Sequence, residues 1–215
     1  MTGEHAASAP GTGQAHATTS RNLLFSGVGG QGTILASKLV ARAALARGLQ
    51  VRSAETIGMA QRGGSVTSHI RIGEGAFSPL LPLGSADVIV GFEPAEAVRS
   101  LPYLRPGGTV VVSARAIAPV TASLSVTGYS GEAMIDYLRR TIERVIVVDG
   151  DAVCAECGSP KVLNTALLGA ASASGALGIS LKELEAALRE SVAERLVEMN
   201  VCALRAGARY VGEGQ

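Results

Sequence analysis

The chain has 215 residues, 47% of them apolar, only 17% charged, and a net charge of +1. That is enough apolar surface for one sizeable core, and too little net charge for a broad electrostatic grip on nucleic acid or an anionic membrane. Aromatic residues are 3% and tryptophan is absent, which also removes a stacking platform for bases.

Residues 1–20 hold no Leu, Ile, Val or Phe. They can bury nothing and lack the apolar stretch of a secretory signal, so they read as a disordered tail ahead of a single domain over 21–215. His5 and His16 lie in that tail, far from His69, and no metal site is expected from them. Cys154, Cys157 and Cys202 are too few for a four-thiolate cluster and read as small free thiols in a reducing compartment, hence a cytoplasmic protein.

In chain order, 22–26 is a short apolar run ending in glycine and predicts a buried strand. A helix over 31–47 follows. Ile34, Leu35, Leu39, Val40 and Ala43 make its apolar face, Lys38 and Arg42 share its wet side, and Gly48 closes it. A second strand over 50–54 completes a Rossmann-like, parallel βαβ start. A glycine-rich loop over 56–65 leads to an alternating strand over 66–72, with Val66, Ser68, Ile70 and Ile72 on one face. The spacing then predicts a loop over 78–83, a strand over 87–92 and a helix over 94–100 with Pro94 in its first turn. A Pro106-Gly107-Gly108 turn, a strand over 109–113, a helix near 131–141 and a buried strand over 143–149 come next. Residues 162–181 carry no charge but are rich in Gly, Ala, Ser, Asn and Thr, which predicts a buried helix that lets another backbone come close, not a membrane span. Ser180 and Glu183 form a capping box, and a last helix runs over 194–210. The fold class is α/β: a mostly parallel sheet with a helical C-terminal part.

Two glycine loops carry the functional signal. Gly27-Val-Gly29-Gly30-Gln31-Gly32 fits G-x-G-x-x-G between a strand and a helix. Gly27 permits a tight turn, Gly29 lets backbone approach an anion, Gly32 lets helix and strand pack closely, and the helix N-terminus offers free N–H groups. Glu55 ends the second strand, where dinucleotide folds keep an acid for the ribose, so nicotinamide binding fits the spacing. The second loop, Gly58-Met-Ala-Gln61-Arg62-Gly63-Gly64-Ser65, interleaves polar side chains with permissive backbone. Arg62 beside two glycines could hold a carboxylate or phosphate with its planar fork.

These residues, with Ser78-Pro-Leu-Leu-Pro82, Ala86-Asp87 and Phe92-Glu-Pro-Ala-Glu-Ala97 followed by Tyr103-Leu104, resemble the gamma-type domain of 2-oxoacid:ferredoxin oxidoreductases. The resemblance runs from about residue 21 to the C-terminal helices, and the 58–66 segment is its most specific part. It implies oxidative decarboxylation of a 2-oxoacid on thiamine diphosphate, electron transfer through iron–sulfur clusters to ferredoxin, and acyl transfer to coenzyme A. The arylpyruvate branch takes indolepyruvate and related acids.

The chain departs from the machinery such a reaction needs. The near match to a thiamine motif is Asp149-Gly150-Asp151, with Asn164 too close behind it. Thiamine diphosphate, Mg and [4Fe-4S] clusters are therefore expected on a large alpha partner subunit, with no metal and no resident cofactor on this chain. In that reading Gln61, Arg62, Gly63, Gly64 and Ser65 contribute to a shared active site. Gly27, Gly29, Gly30, Gln31 and Gly32 face coenzyme A or the partner. Two other readings stay open at this point: a free-standing NAD-dependent dehydrogenase using Glu55, and a nucleotide- or coenzyme A-binding module without catalysis.

Overall fold

Apolar runs alternating with helical-period runs build a six-stranded sheet and seven α-helices among the described residues 20–57, 64–74, 77–118 and 128–212 of a computed structural model. The strands are β1 (Arg21–Val28), β2 (Val51–Ile57), β3 (Ser65–Ile72), β4 (Ala86–Gly91), β5 (Leu104–Ser113) and β6 (Arg144–Val148). The helices are α1 (Thr33–Ala46), α2 (Pro94–Ser100), α3 (Gly131–Thr141), α4 (Gly150–Glu156), α5 (Leu163–Ala173), α6 (Leu181–Ser191) and α7 (Glu194–Arg209). The expected tail lies outside the described residues, apart from Ser20.

The strand order is β2-β3-β1-β4-β5-β6. β1, β4, β5 and β6 run parallel, while β3 is antiparallel to both β1 and β2. This corrects the expected start. β1 and β2 share a direction, but β3 is inserted between them, so they are not neighbours. The short 58–64 connection favours β3 folding back on β2 as an antiparallel pair, and the far edge of β3 then pairs with β1.

One face of the sheet, carrying Leu23, Phe25, Ile70, Val88, Val90 and Val111, packs on α1 and on α4 to α7. The other, carrying Leu24, Ile89, Val110 and Val112, packs on α2 and α3 through Ala97 and Leu138. Two expectations need correction here. Leu35, assigned to the apolar face of α1, is exposed, because Ala36, Leu39, Val40 and Ala43 point to the core instead. Pro106, Gly107 and Gly108 lie inside β5, where a register shift opposite Asp87 absorbs the extra residues and Gly107 takes a positive φ.

The uncharged stretch is helical only over Leu163–Ala173, which forms α5 and is buried along nearly its whole length; the expected helix ends there because 174–180 turns away, with Gly175 and Gly178 at positive φ. Its small residues do what the sequence predicts. A Cβ at Gly169 would stand 1.9 Å from the Leu204 carbonyl oxygen, and one at Gly207 1.9 Å from that of Ala166. α5 and α7 therefore meet backbone to backbone. Gly48 takes the left-handed conformation after α1, and the Ser180–Glu183 capping box starts α6. The free-thiol expectation fails for two of three cysteines. Cys157, at the end of α4, is disulfide-bonded to Cys202 of α7, and only Cys154 is free. The α5–α7 packing brings these distant positions together. Among the described residues no helix is long and apolar enough to cross a membrane.

Candidate functional site

Five strands, β1, β2, β4, β5 and β6, share one direction, so their C-terminal ends lie along one edge of the sheet. After β1 the chain passes to α1 on one face, and after β4 to α2 on the other. Divergence of successive connections leaves a crevice between the ends of neighbouring parallel strands, the usual ligand position in open α/β sheets. The first glycine loop fills the β1 side of that crevice.

Gln31 fastens the loop. Its Oε1 accepts the Val28 N–H at 2.8 Å, and its Nε2 donates to the Phe92 carbonyl at 2.8 Å. The Phe92 N–H donates to the Ser26 carbonyl at 2.7 Å, so the ends of β1 and β4 are tied twice. Gly27 is required by crowding: a Cβ there would stand 2.8 Å from both Gln31 Oε1 and Phe92 Cβ. Gly30 and Gly32 have φ of +101° and +83°, which L side chains rarely adopt. Gly32 is the N-cap of α1, and the helix has neither a side-chain cap nor an acid in its first turn. The first turn of α1 therefore has no side-chain acceptor of its own for its N–H groups.

The end of the second glycine segment, Gly64 and Ser65, lies at the same edge. Gln61, Arg62 and Gly63 lie outside the described residues. Gly64 and Ser65 are described, and they join the first loop: the Gly29 N–H donates to the Gly64 carbonyl at 2.9 Å. Ser65 Oγ donates to Glu96 Oε2 at 2.6 Å. Glu55, by contrast, lies on the edge strand β2 and pairs with Ser68 of β3. With β3 interposed, it sits two strand spacings, roughly 10 Å, from β1. The adjacency that would let it serve a ribose bound at the first loop is missing.

Sequence reasoning gave no role to the two acids that organise this edge. Glu93 is 2% exposed and Glu96 is 6% exposed. Glu93 is the N-cap of α2, its Oε2 accepting the Glu96 N–H at 3.0 Å, while its Oε1 accepts the Tyr129 hydroxyl. Glu96 also takes a charge-assisted bond from Arg99. Burial, followed by the hydrogen bond to Glu93 and that carboxylate's charge, pushes the Tyr129 hydroxyl well above the ordinary tyrosine range, so it remains a donor. An acid immediately before Pro94 at a helix start was the available signal. The pair holds α2 against the start of β3.

Neither cofactor set fits this chain's own residues. Asp149 Oδ1 caps α4, accepting the N–H groups of Asp151 at 3.1 Å and Ala152 at 3.0 Å, a structural use of the residue that the near match to a thiamine motif turns on. Cys157 and Cys202 are bonded to each other. Among the described residues no group of three or more His, Cys, Asp or Glu could hold a metal ion.

The family model for pyruvate ferredoxin/flavodoxin oxidoreductase matches residues 22–210. The chain is 37% identical to indolepyruvate oxidoreductase subunit IorB of Archaeoglobus fulgidus over 195 residues, covering 90% of this chain and 96% of that one. It is 28% identical to the pyruvate/ketoisovalerate oxidoreductases common subunit gamma of Pyrococcus abyssi, covering 84% of this chain and 91% of that one. Its fold is shared with the crystal structure of pyruvate oxidoreductase subunit PORC of Thermotoga maritima, at a TM-score of 0.65 and 22% identity over 88% of this chain and 96% of that one. The resemblance read from the two glycine loops is borne out: the chain belongs to the pyruvate ferredoxin/flavodoxin oxidoreductase family, as one of its gamma-type oxidoreductase subunits.

Proposed function

We propose that this chain is the small subunit of an arylpyruvate:ferredoxin oxidoreductase of the indolepyruvate type. The whole enzyme decarboxylates the 2-oxoacid, delivers the electrons to ferredoxin and the acyl group to coenzyme A. Thiamine diphosphate, Mg and the [4Fe-4S] clusters belong to a large alpha partner, which also meets ferredoxin, and the complex works in the cytoplasm. The observation that carries this reading is the 37% identity to an indolepyruvate oxidoreductase subunit along nine-tenths of the chain.

In this reading the joined glycine loops are one wall of a shared site. Gly27, Gly29, Gly30, Gln31 and Gly32 face coenzyme A or the partner, with the Gly29 and Gln31 N–H groups already engaged by the Gly64 and Val28 carbonyls, so that the start of α1 is the part that meets a phosphate. Gln61, Arg62, Gly63, Gly64 and Ser65 stand at the mouth of the partner's active site, with Arg62 gripping a carboxylate or phosphate. The displacement of Glu55 by β3 counts against nicotinamide binding.

Calorimetric titration of the isolated chain with NAD, NADP and coenzyme A tests the reading. It expects no nicotinamide affinity. Micromolar affinity for NAD overturns it in favour of a dehydrogenase.

A further inference from the structure

We infer that the cleft between α1, α5, α6 and α7 binds a small amphipathic carboxylate, a molecule with one apolar body and one carboxylate group. The cleft holds about 290 Å³ and is separate from the glycine-loop crevice. That volume suits a ligand of roughly ten heavy atoms, at the low end of small-molecule sites.

Its floor is apolar, built from Leu39, Leu168 and Leu188. Its rim carries two cations, Lys38 and Arg42, one turn apart on α1, and no acidic side chain lines it. Arg42 Nη1 is held by the Glu190 carbonyl at 3.2 Å and Ser191 Oγ at 2.9 Å, both neutral acceptors. The guanidinium is therefore positioned but has no counter-ion among the described residues, and the same is true of Lys38.

A second observation comes from the inner wall. Asn164 is 6% exposed and lines the cleft. Its Oδ1 accepts the Thr165 N–H at 2.9 Å, while its Nδ2 donates to no described residue. The Nδ2 is not among the sealed, unpartnered polar atoms of the core, so it is a solvated donor of the wall. Two cations without a counter-ion beside an apolar floor call for one negative group attached to an apolar body. Occupancy would also bear on the glycine loop, since Asn164 Nδ2 lies 3.0 Å from where a Cβ on Gly32 would stand.

The test is calorimetric titration of the full chain with octanoate and with phenylacetate, using octanol and methyl phenylacetate as uncharged counterparts. The inference expects saturable one-to-one binding of a carboxylate. Loss of the charge-assisted contact, by the uncharged counterparts or by Lys38→Ala, should weaken it about tenfold or more. Lys38 is exposed and makes no ion pair, so Lys38→Ala leaves the fold intact, and Arg42→Ala serves as the second variant. Absence of saturable binding overturns the inference. So does binding that is indifferent to the carboxylate or to both cations, as a purely apolar groove for a protein segment would give. The assay uses this chain alone, so its outcome does not depend on the proposed oxidoreductase role.

Discussion

The Gly29 N–H and the Gly64 carbonyl meet at 2.9 Å and make two glycine loops, far apart in sequence, into one surface. β3 is the cause. By pairing Val28 with Ser65 it brings the end of the second loop alongside the end of β1. The surface is the end of a rigid sheet, which is how binding loops are commonly held.

Gln31 is expected to govern the shape of that surface. Gln31→Ala leaves the Val28 N–H and the Phe92 carbonyl without partners, a loss of about 2 kcal/mol. Gln31→Glu keeps the acceptor but sets a carboxylate against a carbonyl, and should be destabilised as well. Urea unfolding of the two variants checks this. Wild-type midpoints for both would mean the side chain does not hold the loop.

Gly207→Ala and Gly169→Ala should be among the most damaging small substitutions in the chain. Each adds a methyl 1.9 Å from a backbone oxygen of the opposing helix, which a side-chain rotation cannot relieve. Overpacking of this kind costs about 3 kcal/mol. The measurement is thermal unfolding, with Ala170→Gly as a control at a buried position on the same helix.

Acidification should weaken the fold through His69. The imidazole Nδ1 accepts the Leu81 N–H at 3.2 Å, its ring meets Tyr103 edge-on, and burial pushes its pKa below the ordinary histidine value. The neutral form is the one the fold accommodates. Between the folded and unfolded pKa values the unfolded chain binds more protons. The stabilisation is therefore complete above about pH 6.5 and drains as pH falls toward the folded value. His69→Asn keeps an acceptor but does not titrate. Denaturant midpoints at about pH 7.5 and about pH 5 should differ less for the variant than for the wild type.

The Cys157–Cys202 link should stabilise the C-terminal helices. It closes a loop across a sequence separation of 45, for which a contribution of about 2–4 kcal/mol is expected. Thermal unfolding with and without reductant should differ accordingly, and Cys202→Ser should abolish the difference. Equal stability in both conditions would show that α5–α7 packing alone holds this part together.

Local signals were legible in the sequence and long-range ones were not. Pro94 at a helix start, the Ser180–Glu183 capping box and the small residues of α5 each act over one or two turns, and each predicted its element. The insertion of β3 between β1 and β2 is a matter of partner choice, which an alternating pattern cannot encode. The Cys157–Cys202 bond likewise depends on the α5–α7 crossing. Pro106-Gly107-Gly108 reads as a turn because its residues favour one, yet neighbouring β4 and the Arg105–Asp87 ion pair at 2.7 Å draw the segment into the sheet. At the site, both glycine loops were visible as motifs. That they touch, and that Glu93 and Glu96 brace them, became visible only once the strand order was known.

The central claim is that this chain supplies a shaped surface while a larger subunit supplies the reactive groups. The most direct measurement is indolepyruvate- and coenzyme A-dependent reduction of ferredoxin by three preparations: this chain, the large subunit, and the two reconstituted. The account predicts turnover only from the reconstituted pair. Turnover by this chain alone, or an undiminished rate from the large subunit without it, would contradict the claim.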